Sequence, residues 1–85
     1  MDDDARRAVG ERIRSARVAR GFSQEELAEK VSLRGQTIHR YEKGRLTPSL
    51  QALVDLAQVC GVSMEWIATG EGDGPSTTDA GADAA

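Results

Sequence analysis

The sequence predicts an all-α fold of five short helices in one domain. Three observations carry that expectation. Apolar residues recur at helical spacing from Val9 to Ile67, and no stretch shows the strict alternation of a half-buried strand. Glycines stand where the periodic stretches stop, at Gly21, Gly44 and Gly61, as left-handed helix caps do. The chain has 85 residues, 39% of them hydrophobic, which supports one modest core and no second one.

The first helix is expected from about Ala5 to Arg20, because Val9, Ile13, Ala16 and Arg17 share one face. Gly21 stops it and Phe22 follows as an apolar anchor. Ser23-Gln24-Glu25-Glu26 reads as a capping box opening helix two, residues 24–30, with Leu27, Ala28 and Val31 as its apolar stripe. Ser32, Leu33 and Arg34 form a tight connection. Helix three runs from Gly35 to Lys43, with Ile38, Tyr41 and Glu42 on one face. Pro48 places the start of helix four near Pro48 or Ser49. Its core stripe is Leu50, Leu53, Leu56, Ala57 and Cys60. Ser63 caps a last helix, 64–69, whose Trp66 and Ile67 pack back on the core.

Charge divides the chain into unlike parts. The net charge is −3. Residues 1–4 hold three Asp and read as an acidic N-terminal arm. Residues 5–45 hold all eleven Lys and Arg against five Glu, a local charge of +6. Residues 46–85 hold six acids and no base. The folded unit is expected over residues 5–70. Residues 71–85 contain no large apolar side chain and read as a flexible acidic tail. A basic half beside an acidic half points to a surface that faces a polyanion.

Other function classes find little support. No apolar run reaches the roughly 18 residues that cross a bilayer, and Met-Asp-Asp-Asp is unlike a basic leader. One cysteine, Cys60, gives no internal disulfide, so a cytoplasmic protein is expected. One Cys and one His cannot build a zinc site. No cofactor, metal or catalytic constellation is expected.

Two short helices joined by three residues form a helix-turn-helix arrangement. A major groove about 12 Å wide admits one helix, read from residues near its N-terminus. On helix three, Gln36, Thr37, His39, Arg40 and Lys43 lie largely opposite the apolar face, and all can form hydrogen bonds.

An ordered series of motifs then resembles the Cro/C1-type helix-turn-helix repressors, the XRE family. It comprises Ile13-Arg14-Ser15-Ala16-Arg17, Gly21-Phe22-Ser23-Gln24-Glu25-Glu26-Leu27-Ala28, Gln36-Thr37-Ile38, Tyr41-Glu42-Lys43-Gly44, Thr47-Pro48-Ser49 and Gly61-Val62-Ser63 to Trp66. The resemblance covers about residues 9–70. It implies a lambda-repressor-like DNA-binding domain and a transcriptional regulator, a repressor, that binds double-stranded operator DNA as a homodimer.

The resemblance also implies roles. Gln36, Thr37 and Arg40, with Arg34 at the groove entrance, would read bases. Ser23, Gln24, His39, Lys43 and Arg45 would contact the DNA backbone. Arg17 and Glu42 would form an ion pair orienting helix three, and Val62, Met64, Trp66 and Ile67 would form the dimer surface. Three departures stand out: Ser32 where relatives commonly have Gly, Arg34 where they have a Ser or Thr cap, and Gly35 at a position often used for reading. The rival reading is an antitoxin-type module, whose helix-turn-helix autoregulates its promoter while another surface binds a toxin or other protein partner.

Overall fold

A computed structural model describes residues 1–75. Its elements are α1 (Asp3–Ala19), α2 (Gln24–Lys30), α3 (Gly35–Glu42), α4 (Leu50–Cys60) and α5 (Met64–Thr69). No strand occurs among the described residues. The five helices stand where the apolar periodicity places them, with ends moved by a residue or two.

Those shifts follow from capping. Helix α1 begins at Asp3 rather than Ala5, because the Asp2 carboxylate accepts from the Ala5 amide at 2.7 Å. Asp3 and Asp4 then sit in the first turn, where the helix dipole favours negative charge. Half of the expected N-terminal arm is therefore helix. At α2 the capping box is complete: Ser23 Oγ accepts from the Glu26 amide at 3.0 Å, and the Ser23 amide donates to Glu26 Oε1 at 2.8 Å. Ser49 caps α4 by accepting from the Ala52 amide at 3.1 Å, so that helix starts at Leu50.

Each helix contributes a fully buried aliphatic side chain to one core: Val9 and Ile13, Leu27, Ile38, Leu56 and Ile67. Each contributes about 1.5–3 kcal/mol on leaving water. Cys60, Ala57 and Tyr41 complete the cluster, while Leu53, Met64 and Trp66 pack against its edge. Burial pushes the Cys60 thiol up, which keeps it protonated and inert. Leu50 does not belong to the α4 core stripe. It is 70% exposed, because it opens the helix and the buried Pro48 closes the core at that end.

Helix α3 packs on both α2 and α1. The approach to α1 is close enough that Gly10 is required. A Cβ there would lie 2.2 Å from the Tyr41 carbonyl oxygen and 2.8 Å from that of Glu42. The turn between α2 and α3 passes through Ser32 at φ +58°, so a serine occupies a left-handed conformation that glycine adopts more readily.

Candidate nucleic-acid interface

The burial pattern of α3 divides its side chains in two. Ile38, Tyr41 and Glu42 are buried against α1 and α2. Gln36, Arg40 and Lys43, at i, i+4 and i+7, are exposed in a single stripe, with Thr37 and His39 half-buried at its flank. Arg34 and Arg45 are exposed at the two ends of the helix. Among the described residues, Arg34, Arg40, Lys43 and Arg45 form no ion pair. Four cations and one amide therefore face solvent along about two turns.

Behind that stripe lies a buried polar junction. Arg17 Nε meets Glu42 Oε2 at 2.7 Å and Arg17 Nη2 meets Oε1 at 3.1 Å, a fork-to-carboxylate pair. The two side chains are only 12% and 3% exposed. Arg17 Nη1 also donates to the Phe22 carbonyl at 2.8 Å, and Gln24 Nε2 donates to Glu42 Oε1 at 3.0 Å. One carboxylate thus ties together α1, the following turn, α2 and α3. The sequence assigned Gln24 to the DNA backbone and did not foresee its bond to Glu42.

Other sequence-assigned residues are already engaged in local structure. Ser23 Oγ serves the capping box. The Ser23 backbone amide and hydroxyl also hold the Glu26 carboxyl below its ordinary range. The N-terminus of α3 is different. Arg34 lies in extended conformation and no side chain caps the helix, as the sequence predicts. Gly35 follows because α3 touches α2 there: a Cβ would lie 2.9 Å from Glu25 Cγ. Arg17, Ser23, Gln24, Glu25, Gly35, Gln36 and His39 line one open hollow between the starts of α2 and α3.

The four residues assigned to a dimer surface separate. Ile67 is 1% exposed and Val62 9%, both within the chain's own core, whereas Met64 and Trp66 remain half-buried at the surface of α5. Arg12, to which the sequence assigns no role, donates from Nη1 to the Ile67 carbonyl at 3.1 Å and ties α1 to α5. Gly10 was also missed. A glycine inside a strong helical pattern is its signal.

Residues 13–67, which include α2, α3 and the Arg17–Glu42–Gln24 junction, match the helix-turn-helix family model. The chain belongs to the Cro/C1-type helix-turn-helix family. It is 33% identical over 61 residues to the SPbeta prophage-derived HTH-type transcriptional regulator YonR of Bacillus subtilis, covering 72% of this chain and 56% of that protein. It is 44% identical over 54 residues to an HTH-type transcriptional regulator of Archaeoglobus fulgidus, covering 64% of this chain and 77% of the relative. Among solved structures, the P22 c2 repressor in complex with a synthetic operator superposes with a TM-score of 0.72 at 25% identity, over 74% of this chain and 96% of that one. The chain spans little more than half of the Bacillus relative. Family membership accounts for the five-helix order and for α3 as the second helix of the motif. No helix among the described residues is long and apolar enough to cross a membrane.

Proposed function

We propose that this helix-turn-helix protein is a transcriptional repressor that binds operator DNA as a homodimer, with α3 of each protomer in the major groove of one half-site. The observation that carries this reading is the exposed stripe Gln36–Arg40–Lys43, held from behind by the Arg17–Glu42–Gln24 junction. Gln36 has the donor and acceptor pair that matches adenine, and Arg40 the fork that matches guanine, each worth about 1–3 kcal/mol of discrimination. Thr37 stands beside them. Arg34 and Arg45 flank the stripe and, with Lys43 at its end, supply positive charge suited to phosphates, and the uncapped start of α3 offers amide donors to the same backbone.

A single helix in one groove gives too small an interface for strong specificity. Two protomers on half-sites about 34 Å apart supply the rest. The α5 edge at Met64 and Trp66 is the surface left for pairing. The P22 c2 repressor, with operator bound, supports the orientation of α3. Selection of bound sequences from a random duplex pool tests the reading. Enrichment of a two-fold symmetric site is expected, and a pool with no enriched sequence would overturn it.

A further inference from the structure

The chain reverses at the end of α5. Gly70, at φ +87°, turns beside the Arg12 guanidinium, and Gly72 takes φ +103°. The following residues lie across the first turn of α5. The Ser63 amide donates to the Asp73 carbonyl at 2.9 Å. A Cβ on Gly72 would fall 2.8 Å from Ser63 Oγ and 3.2 Å from Glu65 Oε1. On Gly74 it would fall 2.8, 2.9 and 3.2 Å from Nε1, Cε2 and Cδ1 of Trp66. Backbone is therefore laid against the indole at a distance only glycine allows. Gly74 and Pro75 are half-buried there, while Glu71 and Asp73 are exposed. The alternation Gly70-Glu71-Gly72-Asp73-Gly74 brings small residues close to α5 and leaves acids at the surface.

We infer that residues 71–75 form a strap over Trp66 that opposes self-association through α5. This rests on the homodimer reading above. A two-fold interface brings a patch against its own copy. With the strap closed, Glu65, Glu71 and Asp73 of one protomer would meet the same three carboxylates of the other, and like charges across an interface oppose pairing. With the strap open, those two tail carboxylates swing away and the indole of Trp66 is freed for the partner. The strap is held by one backbone hydrogen bond to Ser63 and by glycine packing, with the Glu71 amide donating to Thr69 Oγ1 at its root. Segments so lightly held open locally well below the free energy of global unfolding. DNA that places two protomers side by side would then compete against strap closure, coupling operator binding to dimer formation.

Trp66 is the single tryptophan of the chain and reports directly on the strap. The test uses the full chain and two variants. Gly74→Val forces a side chain into the indole and lifts the strap without changing charge. Glu71→Gln/Asp73→Asn removes charge and leaves the strap seated. Acrylamide quenching of Trp66 in dilute protein is expected to rise in Gly74→Val alone. Sedimentation should show a dimer tighter by about tenfold or more in Gly74→Val, and a smaller gain in the charge variant that shrinks as salt rises. Equal quenching in all three proteins overturns the strap. So does increased quenching in Gly74→Val with an unchanged dimer constant. If no protein dimerises, free or on a selected duplex, the homodimer reading falls together with the strap; if all three dimerise equally, only the strap falls.

Discussion

Glu42→Ala removes the carboxylate on which the polar junction behind α3 is built. The Glu42 carboxylate is 3% exposed and accepts three hydrogen bonds, two from Arg17 and one from Gln24. Its removal leaves a guanidinium that is 12% exposed with only the Phe22 carbonyl as partner. Breaking a buried pair in this way costs about 3–5 kcal/mol, because the remaining charge is neither solvated nor matched. A domain of this size has a net stability of roughly 4–11 kcal/mol at about 0.05–0.15 kcal/mol per residue. The variant should therefore lose about a quarter or more of its stability, a fall in melting temperature of more than about 12 °C. Urea denaturation followed by far-UV circular dichroism measures it directly. The double variant Arg17→Met/Glu42→Leu removes both charges and should recover stability to within about 1–2 kcal/mol of the parent. It should still bind DNA more weakly, since Gln24 has lost its anchor. A loss below about 1 kcal/mol for Glu42→Ala, or additive effects in the double-mutant cycle, would refute the junction as the element that fixes α3.

Three further outcomes are expected. Ser32→Gly should stabilise the fold by about 0.5–1 kcal/mol in thermal melts, since the relief of a left-handed serine exceeds glycine's entropy cost; a lower melting temperature would contradict it. Glu26→Gln should destabilise the protein at neutral pH and match the parent in acid. The Glu26 carboxyl is held below its ordinary value, so its stabilisation is present above pH 4.5 and is lost as pH falls through the lower folded value; a difference between the two proteins that persists in strong acid would exclude this. Arg40→Ala should relax preference at one base pair per half-site, whereas Lys43→Ala should weaken all duplexes alike. Equal losses on specific and random DNA for both would remove the base-reading role of Arg40.

Much of the fold was legible because its signals are local. A capping box, left-handed glycines and a 3.6-residue stripe each act within one turn of chain, and the structure shows them at Ser23–Glu26, Gly21 and Gly61, and Val9–Ile13–Ala16. What escaped depends on contacts between distant segments. Leu50 matched the helical period, but only tertiary packing decides that Ala52, Leu56, Ala57 and Cys60 enter the core while Leu50 stays exposed. Gly10 reads as a weak point of α1 until the carbonyls of Tyr41 and Glu42 are set against it. Gln24 has the same hydrogen-bonding capacity toward a phosphate as toward Glu42, and nothing in its sequence neighbourhood chooses between them. The tail read as flexible because it lacks apolar side chains. Its first residues approach Trp66 for that reason, as glycine backbone rather than as side chain; residues 76–85 of that tail lie outside the described residues.

The basic half of the sequence overstates the charge available to DNA, and the structure says by how much. Of its eleven cations, Arg17 neutralises Glu42, Arg12 serves the Ile67 carbonyl, Arg6 pairs with Asp3 and Lys30 lies over the Phe22 ring at 5.1 Å. Arg34 and Arg45 flank the stripe and Lys43 ends it, while Arg40 is the cation proposed to read a base. Three phosphate contacts per protomer make about six for a dimer. The slope of log K against log salt should then be roughly −5, at about 0.9 per phosphate. The same arithmetic identifies which cations face the duplex. Lys43→Gln should make the slope shallower by about 1.8, one contact in each of two protomers, whereas Arg20→Gln, exposed beside Gly61 at the end of α4, should leave it unchanged. A parent slope near zero would mean that the basic half is only solvated. A shallower slope in Arg20→Gln would extend the phosphate track to the end of α1, beyond the helix-turn-helix itself.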